Sequence, residues 1–145
     1  MQLYTIGFTQ RPADDFFGAL RRAGVKRLLD VRLNNTSQLA GFTKREHLPY
    51  FLRELCGADY VHEPLLAPSQ DLFVFRRKQN GAWEEYERAY RRLLAEREVE
   101  RRLNPELFSG PSVLLCTEPT ADQCHRRLAA EYLQQHWGGL EITHL

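Results

Sequence analysis

Ser112-Val113-Leu114-Leu115-Cys116 is the stretch whose reading decides the fold. Its apolar residues run without alternation, as they do in a strand covered on both faces. Directly after it, Thr120-Ala121-Asp122-Gln123 matches a capping box, which predicts a helix from there to about Gln135. Gly138-Gly139 breaks that helix, and Leu140 to His144 reads as a last strand. A buried strand, a helix and another strand in succession are the unit from which parallel sheets are built.

The same alternation extends back to the start of the chain. Leu3-Tyr4-Thr5-Ile6 reads as a strand ending at Gly7. Pro12 suits a first helical turn, and Phe16, Ala19, Leu20 and Ala23 share one helical face that Gly24 closes. Val25 to Val31 reads as a second strand, followed by a long polar loop over 33–42 of the length that tends to carry function. Thr43-Lys44-Arg45-Glu46 matches a further capping box. It predicts a helix carrying Leu48, Phe51, Leu52 and Leu55, which Pro49 must kink or delay. Asp59 to His62 reads as a third strand. The segment 63–81 follows no clear period. Trp83, Tyr86, Tyr90, Leu93 and Leu94 predict one long helix over about 82–103 with a solvated Arg/Glu face. The sum is an α/β fold of three layers, a mostly parallel open sheet of about five strands with helices on both faces, in a single domain spanning 1–145.

Composition narrows the function classes. The chain has 145 residues, 43% hydrophobic and 27% charged, which is ordinary for a globular protein and excludes disorder. No apolar run approaches the ~18 residues of a membrane helix, and the N-terminus lacks a basic, apolar leader. Twenty basic against nineteen acidic residues leave +1, no footprint for nonspecific nucleic-acid binding, although a local basic patch remains open. Three cysteines, an odd number, fit free thiols in a reducing cytoplasm. No P-loop, G-x-G-x-x-G or G-x-S-x-G occurs, so nucleotide cofactors and the common hydrolase mechanisms have no motif support.

In open α/β sheets ligands bind beyond the carboxyl ends of the strands. Those ends deliver Thr9, then Asp30 and Arg32, then His62, then Cys116 and Glu118 with Cys124, His125 and Arg126 on the next helix. Cys116 is the candidate nucleophile, with Glu118, His125 and Asp30 as acid/base groups. Arg32, Thr9, Arg126, Lys44 and His62 are the candidate substrate-binding groups for an anion. Cys116, Cys124 and His125 could instead hold a transition metal, although their spacing is not that of a zinc motif, or the two thiols could form a reversible disulfide. Plain alternatives stand beside these: Cys124 shares a face with Leu128 and Tyr132, Cys56 ends an amphipathic helix, and Asp30 with Arg32 can be a structural ion pair.

Tyr4-Thr5-Ile6-Gly7-Phe8-Thr9, Asp30-Val31-Arg32, Tyr60-Val61-His62, Leu115-Cys116-Thr117-Glu118-Pro119, Cys124-His125-Arg126 and Glu141 to Leu145 together resemble the domain of unknown function 488 family. The family usually shows a His and a Ser after the first glycine, where this chain has Phe8 and Thr9. The resemblance implies a compact α/β domain and a shared site; it supplies no reaction. Three readings follow: a small cytoplasmic enzyme acting on an anionic substrate, a binding module for nucleic acid or a phosphorylated ligand, and a thiol redox or metal-responsive regulator. None involves a membrane.

Overall fold

The computed structural model describes residues 1–36 and 41–145. The predicted polar loop over 33–42 therefore lies partly outside the described residues. Five strands form one parallel sheet: β1 (Gln2–Gly7), β2 (Arg27–Asp30), β3 (Asp59–His62), β4 (Ser112–Cys116) and β5 (Glu141–His144), in the order β3-β2-β4-β1-β5. Central β4 is buried at all five positions, the physical reason for its unbroken apolar run.

Helices cover both faces. On one side α1 (Ala13–Arg22) and α2 (Leu48–Cys56) bring Phe16, Leu20, Leu48 and Leu52 against Ile6, Leu28, Val113 and Leu115. On the other, α4 (Trp83–Glu96) and α6 (His125–Trp137) bring Tyr90, Leu94, Leu128 and Leu133 against Leu3, Leu29, Leu114 and Cys116. Alternate residues of β4 thus feed opposite cores, as the two-residue period of a strand requires. The three-layer α/β architecture expected from the sequence is present.

The topology opens a crevice where the site must lie. The chain leaves β2 toward the β3 edge but leaves adjacent β4 toward the β5 edge, so the two following loops diverge. Such a switch point is where open α/β sheets bind ligands.

Several local predictions need correction. Neither capping box opens a helix. After a 3-10 turn over Gly41–Thr43, α2 begins at Leu48 with Pro49 in its first turn, where a missing N–H costs nothing. Likewise α6 starts at His125, with Cys124 as its N-cap, and the segment before it is irregular. The long helix over 82–103 is two helices. Glu98 takes a left-handed conformation (φ 51°), ending the path of α4, and α5 (Val99–Arg102) follows. The second strand is shorter than 25–31. The unplaced segment contains α3 (Gln70–Arg77), capped by Ser69, whose hydroxyl accepts from the Leu72 amide at 3.2 Å.

Candidate thiol site

Cys116 ends β4, and its side chain falls on the α4/α6 side of the sheet. The sequence Thr117 to Gln123 then crosses the end of β1 before α6 begins. That crossing requires Gly7. A Cβ there would sit 1.6 Å from the Glu118 carbonyl oxygen and 2.8 Å from Arg126 Nη1. The loop returns Cys124 and His125 to Cys116, so that the two Sγ atoms and a His125 ring nitrogen all lie within 4.8 Å of one another.

The His125 ring is oriented by backbone. Its Nε2 lies 2.7 Å from the Val31 carbonyl, which can only accept, so Nε2 carries the proton. Nδ1 is thereby turned to Cys116 Sγ at 3.5 Å. Tyr90 holds the ring edge-on at 5.5 Å, and His125 is 7% exposed. Burial pushes the Cys116 thiol up, but the Cys124 thiol donating to it, the His125 charge and hydrogen bond, and nearby Arg126 together hold it well below its ordinary value. Burial likewise works against a charged His125, but the Cys116 thiolate beside it raises its affinity for a proton. Cys124 moves the other way, raised by burial and by its hydrogen bond to Cys116. Of the two thiols Cys116 is thus the more acidic, and His125 is the base turned toward it.

Arg126 explains why charge is tolerated here. It is 1% exposed, and among the described residues no carboxylate pairs with it. Its Nη1 donates to the Glu118 carbonyl at 2.6 Å and to Cys124 Sγ at 3.6 Å, and its Nε donates to Thr5 Oγ1 at 3.2 Å. A buried cation without a counter-charge is costly, and it lowers the cost of any anion placed nearby.

Above the thiol lies a cavity of about 930 Å³ at the switch point. Arg32, Leu33 and Asn34 line one side, and Cys116 to Thr120 with Asp122 to His125 line the other. Helices α3 and α4 add Phe73, Arg76, Arg77, Trp83 and Tyr86. Two contacts fasten α3 across the opening. Arg77 Nη2 meets Glu118 Oε1 at 2.5 Å, and Arg76 Nη2 donates to Gln123 Oε1 at 2.8 Å.

Of the residues expected from the sequence, Cys116, Glu118, His125 and Arg32 line this cavity. Cys124, the candidate metal ligand or disulfide partner, lines it as well, whereas Asp30, Thr9, Arg126, Lys44 and His62 do not reach its lining. Asp30, fully buried on the α1/α2 side, accepts from Arg32 Nε and Nη2 at 2.8 Å each and from the Tyr60 hydroxyl at 2.6 Å. It fixes Arg32, whose Nη2 also donates to the Thr43 carbonyl at 2.6 Å and whose guanidinium lies over Phe8 at 5.4 Å. Thr9 donates its hydroxyl to the Thr117 carbonyl at 2.6 Å and so ties β1 to the Cys116 loop. His62 Nε2 sits 3.3 Å from the Arg32 carbonyl. Lys44 lies in the turn after Gly41–Thr43, and Arg126 stands behind the thiols. Cys56, half-buried on α2, has its thiol pushed up by burial.

The sequence reading missed Phe73, Arg76 and Arg77 because it could not place α3, and took Trp83 only as part of a helix face. The signals were present: Pro68-Ser69 before an Asp-bearing first turn, and Arg76-Arg77 at the last. They were masked by Leu72-Phe73-Val74-Phe75, an apolar run that suits a strand as well as a helix. The donor set Cys116, Cys124 and His125 is also of the kind that could hold a transition metal.

Fold and site together define a three-layer parallel α/β protein with a buried thiol–imidazole pair at the switch point. The family is DUF488, a domain of unknown function, to which the chain belongs by a match over residues 12–133. No curated protein and no solved structure matches it. Among the described residues, no helix is long and apolar enough to cross a membrane.

Proposed function

We propose that this protein is a cytoplasmic enzyme that uses Cys116 as a nucleophile on a small anionic substrate. The observation that carries the reading is the Cys116–His125 pair at the cavity floor, with the His125 tautomer fixed by the Val31 carbonyl. A thiolate is the reactive form of cysteine, and an oriented imidazole is its usual partner.

The chemistry balances with these two groups. The thiolate electron pair forms a bond to an electrophilic acyl or phosphoryl centre, and the leaving group departs with its bonding pair. His125 Nδ1, pointed at the sulfur, takes the Cys116 thiol proton and supplies it to the leaving group. Water then attacks the covalent intermediate, returns a proton to Nδ1 and expels the thiolate. A cavity of about 930 Å³ suits a small molecule rather than a nucleic-acid strand.

The anion preference follows from the cations. Arg32 is 2% exposed, lines the cavity, and among the described residues its Nη1 has no hydrogen-bond partner. Arg77 is held by Glu118 in a pair about two-fifths exposed, weak enough for a substrate anion to displace. Glu118 is thereby freed at the rim, where it can accept a proton. Asp30 is a positioning residue for Arg32.

The test is the alkylation rate of each cysteine against pH, mapped on the native protein by mass spectrometry. Cys116 should react fastest and keep reacting well below pH ~8.5, the ordinary thiol value. Its rate should fall in His125→Gln, while Cys56 stays slow throughout. Cys116 remaining inert until the protein unfolds would sink the proposal.

A further inference from the structure

Beside the nucleophile proposed above lies a second thiol. Cys124 is 2% exposed and makes no side-chain cap hydrogen bond although it occupies the N-cap of α6. Its sulfur lies within 4.8 Å of Cys116 Sγ and takes an N–H from Arg126. We propose that Cys124 is the resolving cysteine of Cys116: on exposure to a peroxide the two close an intramolecular disulfide that reversibly switches the nucleophile off. The inference rests on the reading of Cys116 as the reactive thiol and extends it to regulation of that site.

Each step balances. The Cys116 thiolate attacks one oxygen of the peroxide, the O–O bond breaks, and the departing alkoxide or hydroxide takes a proton from His125. Cys116 is now a sulfenic acid, oxidised by two electrons, and the peroxide is reduced by the same two. The Cys124 sulfur then attacks the Cys116 sulfur and displaces hydroxide, which combines with the proton lost from Cys124 to leave as water.

The backbone permits closure. Residues 117–124 form neither helix nor strand, and Cys124 itself is extended (φ −135°, ψ 140°). A disulfide brings the sulfurs to ~2.05 Å, and the irregular segment is the part of the chain between them with no ladder or helix hydrogen bonds to break. Arg126, buried beside Cys124 Sγ, favours the thiolate that develops there as its proton leaves. Cys56 on α2 packs with the core of the opposite sheet face, outside this exchange.

The experiment treats the folded protein with hydrogen peroxide, counts thiols and maps them by mass spectrometry. The thiol count should fall from three to one, with Cys56 left free and a Cys116–Cys124 linked peptide formed. Dithiothreitol should restore all three. In Cys124→Ser, Cys116 should instead accumulate as sulfenic acid, trapped by dimedone, and pass on to sulfinic acid. Three results would overturn the proposal: wild-type Cys116 reaching sulfinic acid with Cys124 still free, a disulfide between two chains, or no thiol lost. Because the linked peptide is read in the wild type, the test stands even if Cys124→Ser does not fold. Rapid alkylation of Cys116 without a linked peptide leaves the nucleophile reading intact and removes only the resolving role.

Discussion

Asp30→Asn separates a structural carboxylate from a catalytic one. Asp30 Oδ1 accepts from Arg32 Nε at 2.8 Å and from the Arg32 amide at 3.1 Å, and Oδ2 accepts from Arg32 Nη2 at 2.8 Å and the Tyr60 hydroxyl at 2.6 Å. Asp30 is fully buried and Arg32 nearly so, at 0% and 2% exposure. Asparagine keeps the volume but puts an NH2 where two donors already point, and it leaves the guanidinium without a counter-charge. Losing one member of a buried ion pair costs about 3–5 kcal/mol. The Tyr60 hydroxyl can turn to accept from the new amide, which recovers about 1 kcal/mol. The expected loss is therefore about 3 kcal/mol, seen in urea as a lower midpoint with an unchanged slope. In a thermal scan it should lower Tm by roughly 10 °C for a chain of this size. The double variant Asp30→Asn/Arg32→Met removes both charges and should lose less than the sum of the single changes. In the folded Asp30→Asn protein the rate of Cys116 alkylation should stay at the wild-type value, since Asp30 lies across the sheet from the thiol. A loss below about 1 kcal/mol, or a collapse of Cys116 reactivity in a folded variant, would refute this reasoning.

Three further outcomes are expected. Gly7→Ala forces a Cβ onto the Glu118 carbonyl and Arg126, and should destabilise by about 3 kcal/mol or more while loosening the Cys116 loop, measured by urea unfolding and hydrogen exchange. Glu98→Gly relieves a left-handed residue between α4 and α5 and should stabilise by about 0.5–1 kcal/mol in the same assay. The His125 ring, followed by NMR, should stay protonated above its ordinary 6.5 in the wild type. In Cys116→Ser, burial acts without the thiolate, so the ring should lose its proton below 6.5. The sign follows from linkage. A raised His125 stabilises the fold below 6.5 and that contribution is lost as pH rises through the raised value, whereas the lowered Cys116 contributes above 9.0 and loses its part as pH falls through its own lowered value.

The sequence alone determined the layer architecture. Local hydrophobic pattern carries that information: the unbroken Val113 to Leu115 run needs cover on both faces, and the face of Phe16, Ala19 and Leu20 needs a sheet to cover. It also placed the Cys116-to-Arg126 stretch at a strand end, where the switch-point rule looks for chemistry. Only tertiary structure decided which side of the sheet each polar residue serves. Asp30 and Cys116 end neighbouring strands, yet the two-residue period turns Asp30 to the α1/α2 side and Cys116 to the α4/α6 side. The capping-box residues Thr43 and Thr120 satisfied a local rule, but long-range contacts override it: the Arg32 guanidinium takes the Thr43 carbonyl, and α6 starts only at His125, where its ring reaches the Val31 carbonyl. Helix α3 shows the converse. Its composition fits strand or helix equally, and what fixes it over the cavity are partners far away in the chain, Glu118 and Gln123. Short-range pattern specified the strands and the layer architecture, but not α3. The meeting of His125 with Val31, 94 residues apart, depends on how they pack, and the proposed chemistry depends on that meeting.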